Sequence, residues 1–201
     1  MEKVLVIACG AIARELVRIR DLNGWEHLEF QCLDPELHNR PERIPDAVRQ
    51  KINEAGEEFS RIFVGYADCG TGGLLDRALQ ELEFGGQGIE RIPGAHCYEF
   101  FAGTRVFEQL AEEEVGTFYL TDFLVQHFQR LVVQGLGLDR QPGLMPMYFG
   151  NYRRVVHIAQ REDKKLLQQS REHAQFLGLE HEYRLLGDEP LARLLQPVLS
   201  H

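Results

Sequence analysis

Short runs of apolar residues alternate along this chain with longer segments whose apolar residues recur at helical spacing. Residues 4–8 form an unbroken apolar run, and residues 61–64 form a second, shorter run. Residues 74–82 instead repeat their apolar side chains every three or four positions. Short apolar runs are typical of buried strands, and the wider spacing is typical of helices. The pattern therefore predicts strands that alternate with helices.

This alternation favours an α/β fold with a parallel sheet. We expect a single three-layer, Rossmann-like α/β domain over residues 1–201, with a mostly parallel sheet. Strands are predicted at residues 4–8, 28–33, 61–64, 89–92, 154–159 and 181–186. Helices are predicted at residues 11–22, 46–56, 74–82, 104–114, 122–134, 162–177 and 190–199. Residues 116–122 are predicted to be an extended aromatic segment between two of these helices.

The composition suits one soluble domain, since 44% of the 201 residues are hydrophobic and 26% are charged. The net charge of −9 argues against nucleic acid or an anionic membrane as the main partner. No apolar run is long enough to cross a bilayer, and the start of the chain lacks the layout of a signal peptide. We therefore expect a cytoplasmic protein whose cysteines are reduced and free to act as thiols or metal ligands.

The glycine-rich segment 65–73 joins a predicted strand to a predicted helix, and it carries Asp68 and Cys69. In an open α/β sheet such a turn lies at the carboxyl edge, where ligands bind. A thiol beside the N–H groups at the start of a helix has a lowered pKa. The turn is therefore the first candidate for a functional site.

Two turns have the glycines that a phosphate-containing cofactor needs. In the segment 65–73 we assign this role to Gly70, Thr71 and Gly72, because glycine lets the backbone approach a ligand and a helix start offers free N–H groups. Gly10 follows the first strand in a turn that faintly resembles the dinucleotide-binding fingerprint, with alanine at the first and last glycine positions. These turns therefore suit the phosphate of a nucleotide-like or corrinoid ligand.

Cysteines follow three separate predicted strands, and a histidine follows another. Cys9, Cys69 and Cys97 each lie just past a strand, and His38 lies past the second strand. Because the carboxyl ends of parallel strands open on one edge, these side chains should converge. Thiolate and imidazole are the usual ligands of Zn²⁺, and three protein ligands with an open position make a catalytic site. We therefore predict a metal site that His38 or His96 completes, with zinc or else iron as the metal.

Each of these residues also has an ordinary structural explanation. A cysteine at a strand end is often a small buried hydrophobic residue, which is the alternative for Cys9. Cys32 and His157 lie within predicted strands, so we expect both to belong to the core. His38 could simply hydrogen-bond its own proline-bounded loop.

Three further residues are predicted to take part in catalysis. Asp68 and Glu99 lie close in sequence to cysteines of the candidate site, where a carboxylate can hold a ligand imidazole or a bound water. Tyr119 lies in the aromatic segment 116–121, which we expect to cover the same edge as a wall or a lid.

Five stretches stand out together: ACGAIARE at 8–15, LHNRP at 37–41, GYADCGTG at 65–72, HC at 96–97 with EFFAG at 99–103, and GTFYLT at 116–121. They resemble a bacterial and archaeal family of about this length that is known as a domain of unknown function. Members are often encoded beside corrinoid-dependent methyltransferases for methylated amines. The resemblance implies a place in methyl-transfer or one-carbon metabolism, with a corrinoid protein or a methyltransferase as partner. It supplies no catalytic residue.

Two main classes of function remain open. The first is a metalloenzyme in which zinc or iron lowers the pKa of a water or a substrate thiol, and so makes a nucleophile for a small-molecule substrate. The second is a non-catalytic accessory protein that carries a metal, a nucleotide or a corrinoid for a partner enzyme. A metal-free cysteine enzyme is a third interpretation, with Cys69 as the nucleophile and His96 or His38 as its base.

Overall fold

The computed structural model describes residues 2–84 and 86–199, which form an α/β fold. Two parallel sheets contain most of the strands, which confirms the predicted fold class. The expectation of one sheet is corrected, because the strands are shared between a four-stranded and a three-stranded sheet. Contacts divide the chain into two compact units, residues 1–97 with 194–201 and residues 98–193. The single domain over residues 1–201 stays a prediction, since two compact units can belong to one folding domain.

The first unit follows the predicted order of strands and helices. Its strands are β1 (Lys3–Cys9), β2 (Leu28–Leu33), β3 (Phe59–Gly65), β4 (Glu83–Phe84), β5 (Gln87–Gly88) and β6 (Glu90–Arg91). Its helices are α1 (Ala13–Asn23), α2 (Ile44–Glu54) and α3 (Leu74–Gln80), with 3-10 helices at Gly10–Ile12, Pro35–Asn39 and Pro41–Arg43. The main sheet has the order β2–β1–β3–β6 with parallel pairing, while β4 and β5 form a separate antiparallel pair.

β1 lies inside this sheet, which explains why its apolar run is unbroken. Its residues 4–9 are all buried, as expected for a strand that is covered on both faces. α1 buries Leu16 and Ile19, which lie three positions apart on one side of the helix. The register of the two inner strands places Ala8 of β1 opposite Gly65 of β3, so both strands end at the same level.

The carboxyl ends of β1, β2 and β3 open on one edge, and a turn follows each. At Gly10, after β1, a Cβ atom would lie 3.0 Å from the Leu33 carbonyl and 3.1 Å from Pro35 Cδ. The lack of a side chain at Gly10 thus lets the chain after β2 pass close to the end of β1. This close approach brings the 3-10 helix Pro35–Asn39, which carries His38, to the same edge.

The second unit is built around a smaller parallel sheet. Its strands are β7 (Thr117–Thr121), β8 (Arg154–Ala159) and β9 (Glu180–Leu185), in that order across the sheet. Its helices are α4 (Tyr98–Ala102), α5 (Thr104–Glu113), α6 (Asp122–Gln126), α7 (Met145–Phe149), α8 (Lys164–Leu177) and α9 (Glu189–Leu199), which extends past the end of the unit. The predicted helix 122–134 is divided into α6 and a π-helix at Gln129–Gln134. Across both units, none of the described helices is both long and apolar enough to span a membrane.

Buried polar groups form a chain of hydrogen bonds inside the second unit. The Asp122 carboxylate lies 3.0 Å from His157 Nε2, and His157 Nδ1 lies 3.1 Å from the Ser170 hydroxyl. Asp122 also accepts a hydrogen bond from the backbone N–H of Gln160, and Ser170 donates to the Leu167 carbonyl. Both ring nitrogens of His157 therefore have partners, which confirms the prediction of a core histidine.

Replacing His157 by leucine should destabilise the protein strongly, because it removes the partner of a buried carboxylate. Asp122 is only 3% exposed, so water cannot take the place of the imidazole. Breaking one side of a buried pair of this kind costs about 3–5 kcal/mol of the free energy of unfolding. Urea denaturation of the wild type and of His157→Leu measures the difference.

The double variant Asp122→Asn/His157→Leu is the control, because asparagine removes the buried charge but keeps an oxygen for the Gln160 N–H. It should be at least about 1 kcal/mol more stable than His157→Leu alone. A double variant that is less stable than the single one would show that the buried charge is not the cause.

Candidate functional site

The loops that follow β3 and β6 are joined directly by two backbone hydrogen bonds. The N–H of Asp68 donates to the Gly94 carbonyl at 3.1 Å. The N–H of Cys69 donates to the Ala95 carbonyl at 2.9 Å. These bonds fix Cys69 in register with the residues that lead directly to Cys97.

The Asp68 carboxylate closes the glycine-rich turn by binding to the turn itself. It accepts hydrogen bonds from the N–H groups of Gly73 at 2.8 Å and Gly72 at 3.1 Å, and from the Thr71 hydroxyl at 2.7 Å. The Gly73 N–H and the Thr71 hydroxyl are the main causes that lower the pKa of Asp68. A phosphate could use these donors only by displacing Asp68. The cofactor-binding role of Gly70, Thr71 and Gly72 and the catalytic role of Asp68 stay predictions.

The turn holds Cys69 in a left-handed backbone conformation, with a φ of 49°. Within the described ranges, Cys69 is the residue other than glycine that has a positive φ. This conformation destabilises a residue that has a Cβ atom by roughly 1–2 kcal/mol, because the Cβ atom lies too close to the following carbonyl oxygen. Such strain persists where the surrounding structure enforces it, and it is concentrated at functional sites. Here the bond from the Cys69 N–H to Ala95 and the closed Asp68 turn enforce it.

An ion pair anchors the second loop to α3. The Arg91 guanidinium binds the Asp76 carboxylate through two hydrogen bonds, of 2.5 Å and 2.8 Å, and it donates to the Ile92 carbonyl at 2.7 Å. The hydrogen bond from Arg91 is the main cause that lowers the pKa of Asp76. Because β6 ends at Arg91, the pair fixes the start of the loop that leads to Cys97.

His38, Cys69 and Cys97 meet at the carboxyl edge of the first sheet and form a compact group. Their potential ligand atoms all lie within 4.8 Å of one another. The Cys69 and Cys97 sulfurs are 2.7 Å apart, and the Cys97 sulfur lies 3.9 Å from His38 Nε2. The convergence that parallel strands predict is therefore confirmed for these three residues. The histidine of the group is His38, and His96 is not part of it.

Cys9 lies on the other side of the His38 ring. Its sulfur is 3.6 Å from His38 Nδ1, and it accepts a hydrogen bond from the Ala11 N–H at 3.3 Å. Cys9 is fully buried, but its sulfur is not part of the compact group. Although His38 as a whole residue is exposed, both of its ring nitrogens thus face sulfur atoms. The role of Cys9 as a metal ligand stays a prediction.

The sulfurs and the imidazole shift one another's pKa values. Burial lowers the pKa of His38, but hydrogen bonds to the Cys69 and Cys9 sulfurs and the negative charge of the Cys69 thiolate outweigh this effect and raise the pKa to about 10. The hydrogen bond from Cys97 and the contact with His38 lower the pKa of Cys69 to about 5, against the effect of burial. The same bond to Cys69, together with burial, raises the pKa of Cys97. At neutral pH the group therefore contains a Cys69 thiolate, a Cys97 thiol and a His38 imidazolium.

Tyr66 belongs to the site although no sequence pattern singled it out. It follows β3 directly, it is fully buried, and its ring stacks on the His38 imidazole with the ring centroids 6.2 Å apart. Burial raises the pKa of Tyr66 far above its ordinary value, and a hydrogen bond with the Cys9 sulfur contributes to the rise. The signal available in the sequence was an aromatic residue directly between a buried strand and a glycine-rich turn.

Two residues that the sequence assigned to catalysis belong to the second unit. Glu99 accepts a hydrogen bond from the Thr104 hydroxyl at 2.8 Å, within the same stretch of helices. Tyr119 is buried in β7, where its ring packs against Phe107 with the centroids 5.2 Å apart. The catalytic roles of Glu99 and Tyr119, and the lid over the site, stay predictions.

The structure changes the interpretation of Cys32 and of Gly10. Cys32 lies in β2, the edge strand of the first sheet, and it is exposed, so the core position predicted for it is wrong. An edge strand of this sheet leaves some side chains without cover, which the sequence pattern does not reveal. Gly10 is explained by the close approach of Leu33 and Pro35, and its role in cofactor binding stays a prediction.

Comparison with protein families gives a match over residues 32–195 to the family described as "Protein of unknown function (DUF1638)". The match covers most of the chain, so the chain belongs to this family. This agrees with the resemblance to a domain of unknown function that the five stretches carry. No curated protein and no solved structure matches the chain.

Replacing Asp68 by alanine should destabilise the protein, because two backbone N–H groups and a hydroxyl lose their acceptor. Asp68 is partly exposed, so water replaces some of these bonds, and we expect a loss of about 1 kcal/mol in the free energy of unfolding. The loss should depend on pH. Because the folded pKa of Asp68 is lowered, the carboxylate stabilises the fold fully above the unfolded pKa of about 3.9. That contribution disappears as the pH falls through the lower, folded pKa.

Urea unfolding of the wild type and Asp68→Ala at a series of pH values measures this effect. The difference between the two should be largest near neutral pH and should shrink below about pH 4. Asp139→Ala, which removes an exposed aspartate of the second unit, serves as the control and should change stability by less than about 0.5 kcal/mol. A difference that grows on acidification contradicts the assignment.

Proposed function

We propose that this chain, a member of the DUF1638 family, binds a zinc ion through His38, Cys69 and Cys97 and uses it in catalysis on a small molecule. The observation that carries the proposal is the compact group of one imidazole and two sulfurs, whose ligand atoms lie within 4.8 Å of one another. One histidine and two cysteines with an open fourth position are a known ligand set of catalytic zinc. Iron is the second metal that suits such a set.

The spacing of the group suits a single ion after a small adjustment. Two sulfurs that share a tetrahedral zinc, each at about 2.3 Å from the metal, lie about 3.8 Å apart. The Cys69 and Cys97 sulfurs are 2.7 Å apart, so a rotation of one side chain has to widen the gap by about 1 Å. The distance of 3.9 Å between the Cys97 sulfur and His38 Nε2 already has the size that a shared ion requires.

Cys9 has the position of an outer partner that orients the imidazole. Its sulfur faces His38 Nδ1 at 3.6 Å, while Nε2 faces the sulfur of Cys97. A metal-binding histidine almost always donates its second ring N–H to another group, which fixes the tautomer and the direction of the ring. Cys9 supplies such an acceptor, and this leaves Nε2 as the nitrogen that binds the ion.

The chemistry of a zinc ion with three protein ligands is to lower the pKa of a water or a thiol in its fourth position. An activated thiol accepts methyl groups, which fits the role in methyl-transfer or one-carbon metabolism that the family resemblance suggests. In this proposal Asp68, Glu99 and Tyr119 remain candidates for catalysis, and the protein works in the reducing cytoplasm. A corrinoid protein or a methyltransferase is the proposed partner. An accessory protein that only carries the metal or a corrinoid would use the same ligands.

A metal-free thiol function is the second candidate, and the Cys69–Cys97 contact favours it. Cys69 has a pKa of about 5 and lies beside the His38 imidazolium, as an activated cysteine nucleophile does. Its sulfur is 2.7 Å from that of Cys97, so a modest movement would allow a disulfide of about 2.05 Å. In this case Cys69 attacks the substrate and Cys97 is the neighbouring thiol.

Metal content separates the two candidates. Protein purified without an affinity tag should contain about one zinc or iron ion per chain by elemental analysis. Cys69→Ser, Cys97→Ser and His38→Ala each remove a ligand, so each should weaken binding by more than the roughly 10–100-fold that loss of an outer partner costs. Competition against a chromophoric chelator measures the affinities. Cys9→Ser should show the smaller loss, because Cys9 only orients the ring.

The chain offers matched controls for these variants. Cys32→Ser removes an exposed cysteine, and His96→Ala removes a histidine that is outside the compact group, so both should retain the metal. Cys69→Ser that keeps the wild-type metal content would refute the assignment of Cys69. Metal-free wild type whose Cys69 reacts rapidly with iodoacetamide at about pH 6 would instead favour the thiol function.

A further inference from the structure

The sulfurs of Cys69 and Cys97 have a spacing between that of a metal site and that of a disulfide. Both residues are free cysteines, and their sulfurs are 2.7 Å apart. Closing this gap to the S–S bond length of about 2.05 Å takes a movement of about 0.7 Å. Opening it to the roughly 3.8 Å between two sulfurs on one zinc ion takes about 1 Å. Small movements of the side chains in opposite directions therefore lead to two states that exclude each other.

The other two of the four cysteines in the chain are placed differently. The Cys9 sulfur faces His38 Nδ1 at 3.6 Å and lies outside the compact group of ligand atoms. Cys32 is exposed on β2, the edge strand of the first sheet. A disulfide within the chain should therefore join Cys69 to Cys97.

The two partners differ in how far solvent reaches them. Cys97 is partly exposed, whereas Cys69 is buried. A dissolved reagent therefore reaches the Cys97 sulfur more easily. The backbone hydrogen bond from the Cys69 N–H to the Ala95 carbonyl, 2.9 Å long, ties the two loops together. The Cys69 sulfur thus stays within reach when the Cys97 sulfur has reacted.

We propose that a disulfide of low molecular weight oxidises Cys69 and Cys97 to an intramolecular disulfide, and that this redox switch releases the metal ion of the proposed site. The inference rests on the proposed function and adds a form of regulation to it. The Cys97 sulfur attacks the reagent, and one small thiolate leaves. The Cys69 sulfur then attacks the Cys97 sulfur of this mixed disulfide, and the second small thiolate leaves.

The exchange transfers two electrons from the pair of cysteines to the reagent, whose S–S bond breaks as the new one forms. Because the thiolate is the form of cysteine that binds a metal, the ion loses two of its three protein ligands. A small thiol in excess reverses both steps and restores the two ligands. The ion should therefore be held under reducing conditions and released under oxidising ones.

Treatment of the zinc-loaded wild type with oxidised glutathione tests this inference. Full oxidation should release about one zinc ion for every two thiols lost, since one disulfide removes two ligands of one ion. A chromophoric chelator measures the released zinc, and a thiol reagent measures the remaining thiols in parallel. Dithiothreitol, followed by fresh zinc, should restore the wild-type metal content.

Peptide mapping identifies the cysteines that are joined. Trypsin separates the two cysteines, because Arg77 and Arg91 lie between them in the sequence. Mass spectrometry of the unreduced digest should show two peptides joined through Cys69 and Cys97. Cys32→Ser is the matched control, since it removes only an exposed thiol, and it should release zinc at the same oxidant concentration as the wild type.

The outcomes separate the redox switch from the metal site on which it rests. Wild type that binds zinc but keeps the Cys69 and Cys97 thiols in oxidised glutathione overturns the switch and leaves the metal site intact. A disulfide that pairs either residue with Cys9 or Cys32 instead has the same meaning. A Cys69–Cys97 disulfide that forms without loss of zinc overturns both the switch and the two ligand assignments. Wild type that binds no zinc before oxidation removes the proposed site, and the switch falls with it.

Discussion

Two backbone hydrogen bonds between the loops after β3 and β6 are the constraint on which the site depends. The N–H groups of Asp68 and Cys69 donate to the carbonyls of Gly94 and Ala95, and so join the two loops through their backbones. They place Cys69 and Cys97, which are 28 positions apart in sequence, at a sulfur–sulfur distance of 2.7 Å. Because the bonds are made by the backbone, the register does not depend on which side chains the loops carry. The hydrogen bond from the Cys69 N–H to the Ala95 carbonyl also holds Cys69 in its strained left-handed conformation.

The convergence of the three grouped residues could be predicted because it follows from topology. Side chains just past the carboxyl ends of parallel strands reach a common edge, whatever the chain does between the strands. This rule was sufficient for His38, Cys69 and Cys97. It also brought Cys9 to the edge, but it could not tell that Cys9 faces the opposite nitrogen of the His38 ring. That difference depends on the rotation of one imidazole, which no spacing in the sequence encodes.

Other features could not be predicted, because they arise from contacts between distant residues. The five residues of β7 have the β-forming composition of a strand, but only their pairing with β8 reveals a second sheet. Asp68 lies beside a cysteine and suggests catalysis, whereas its carboxylate is bound by the N–H groups of its own turn. Cys32 reads as a core residue until β2 is known to be an edge strand. The residue type indicates which structure or chemistry a position can support. Contacts with residues distant in sequence then determine which strands pair, which groups a carboxylate binds and which side chains are buried.

The metal ion of the proposed site would leave the net charge of the group unchanged. Without metal, the Cys69 thiolate is balanced by the His38 imidazolium, and the second sulfur, Cys97, keeps its proton. A divalent ion would replace these two protons, since thiol and imidazole bind metals in their deprotonated forms. Two thiolates, a neutral imidazole and a divalent ion again sum to zero charge. In the proposed metal site, the protein around the group would therefore experience the same net charge whether protons or the ion occupy it.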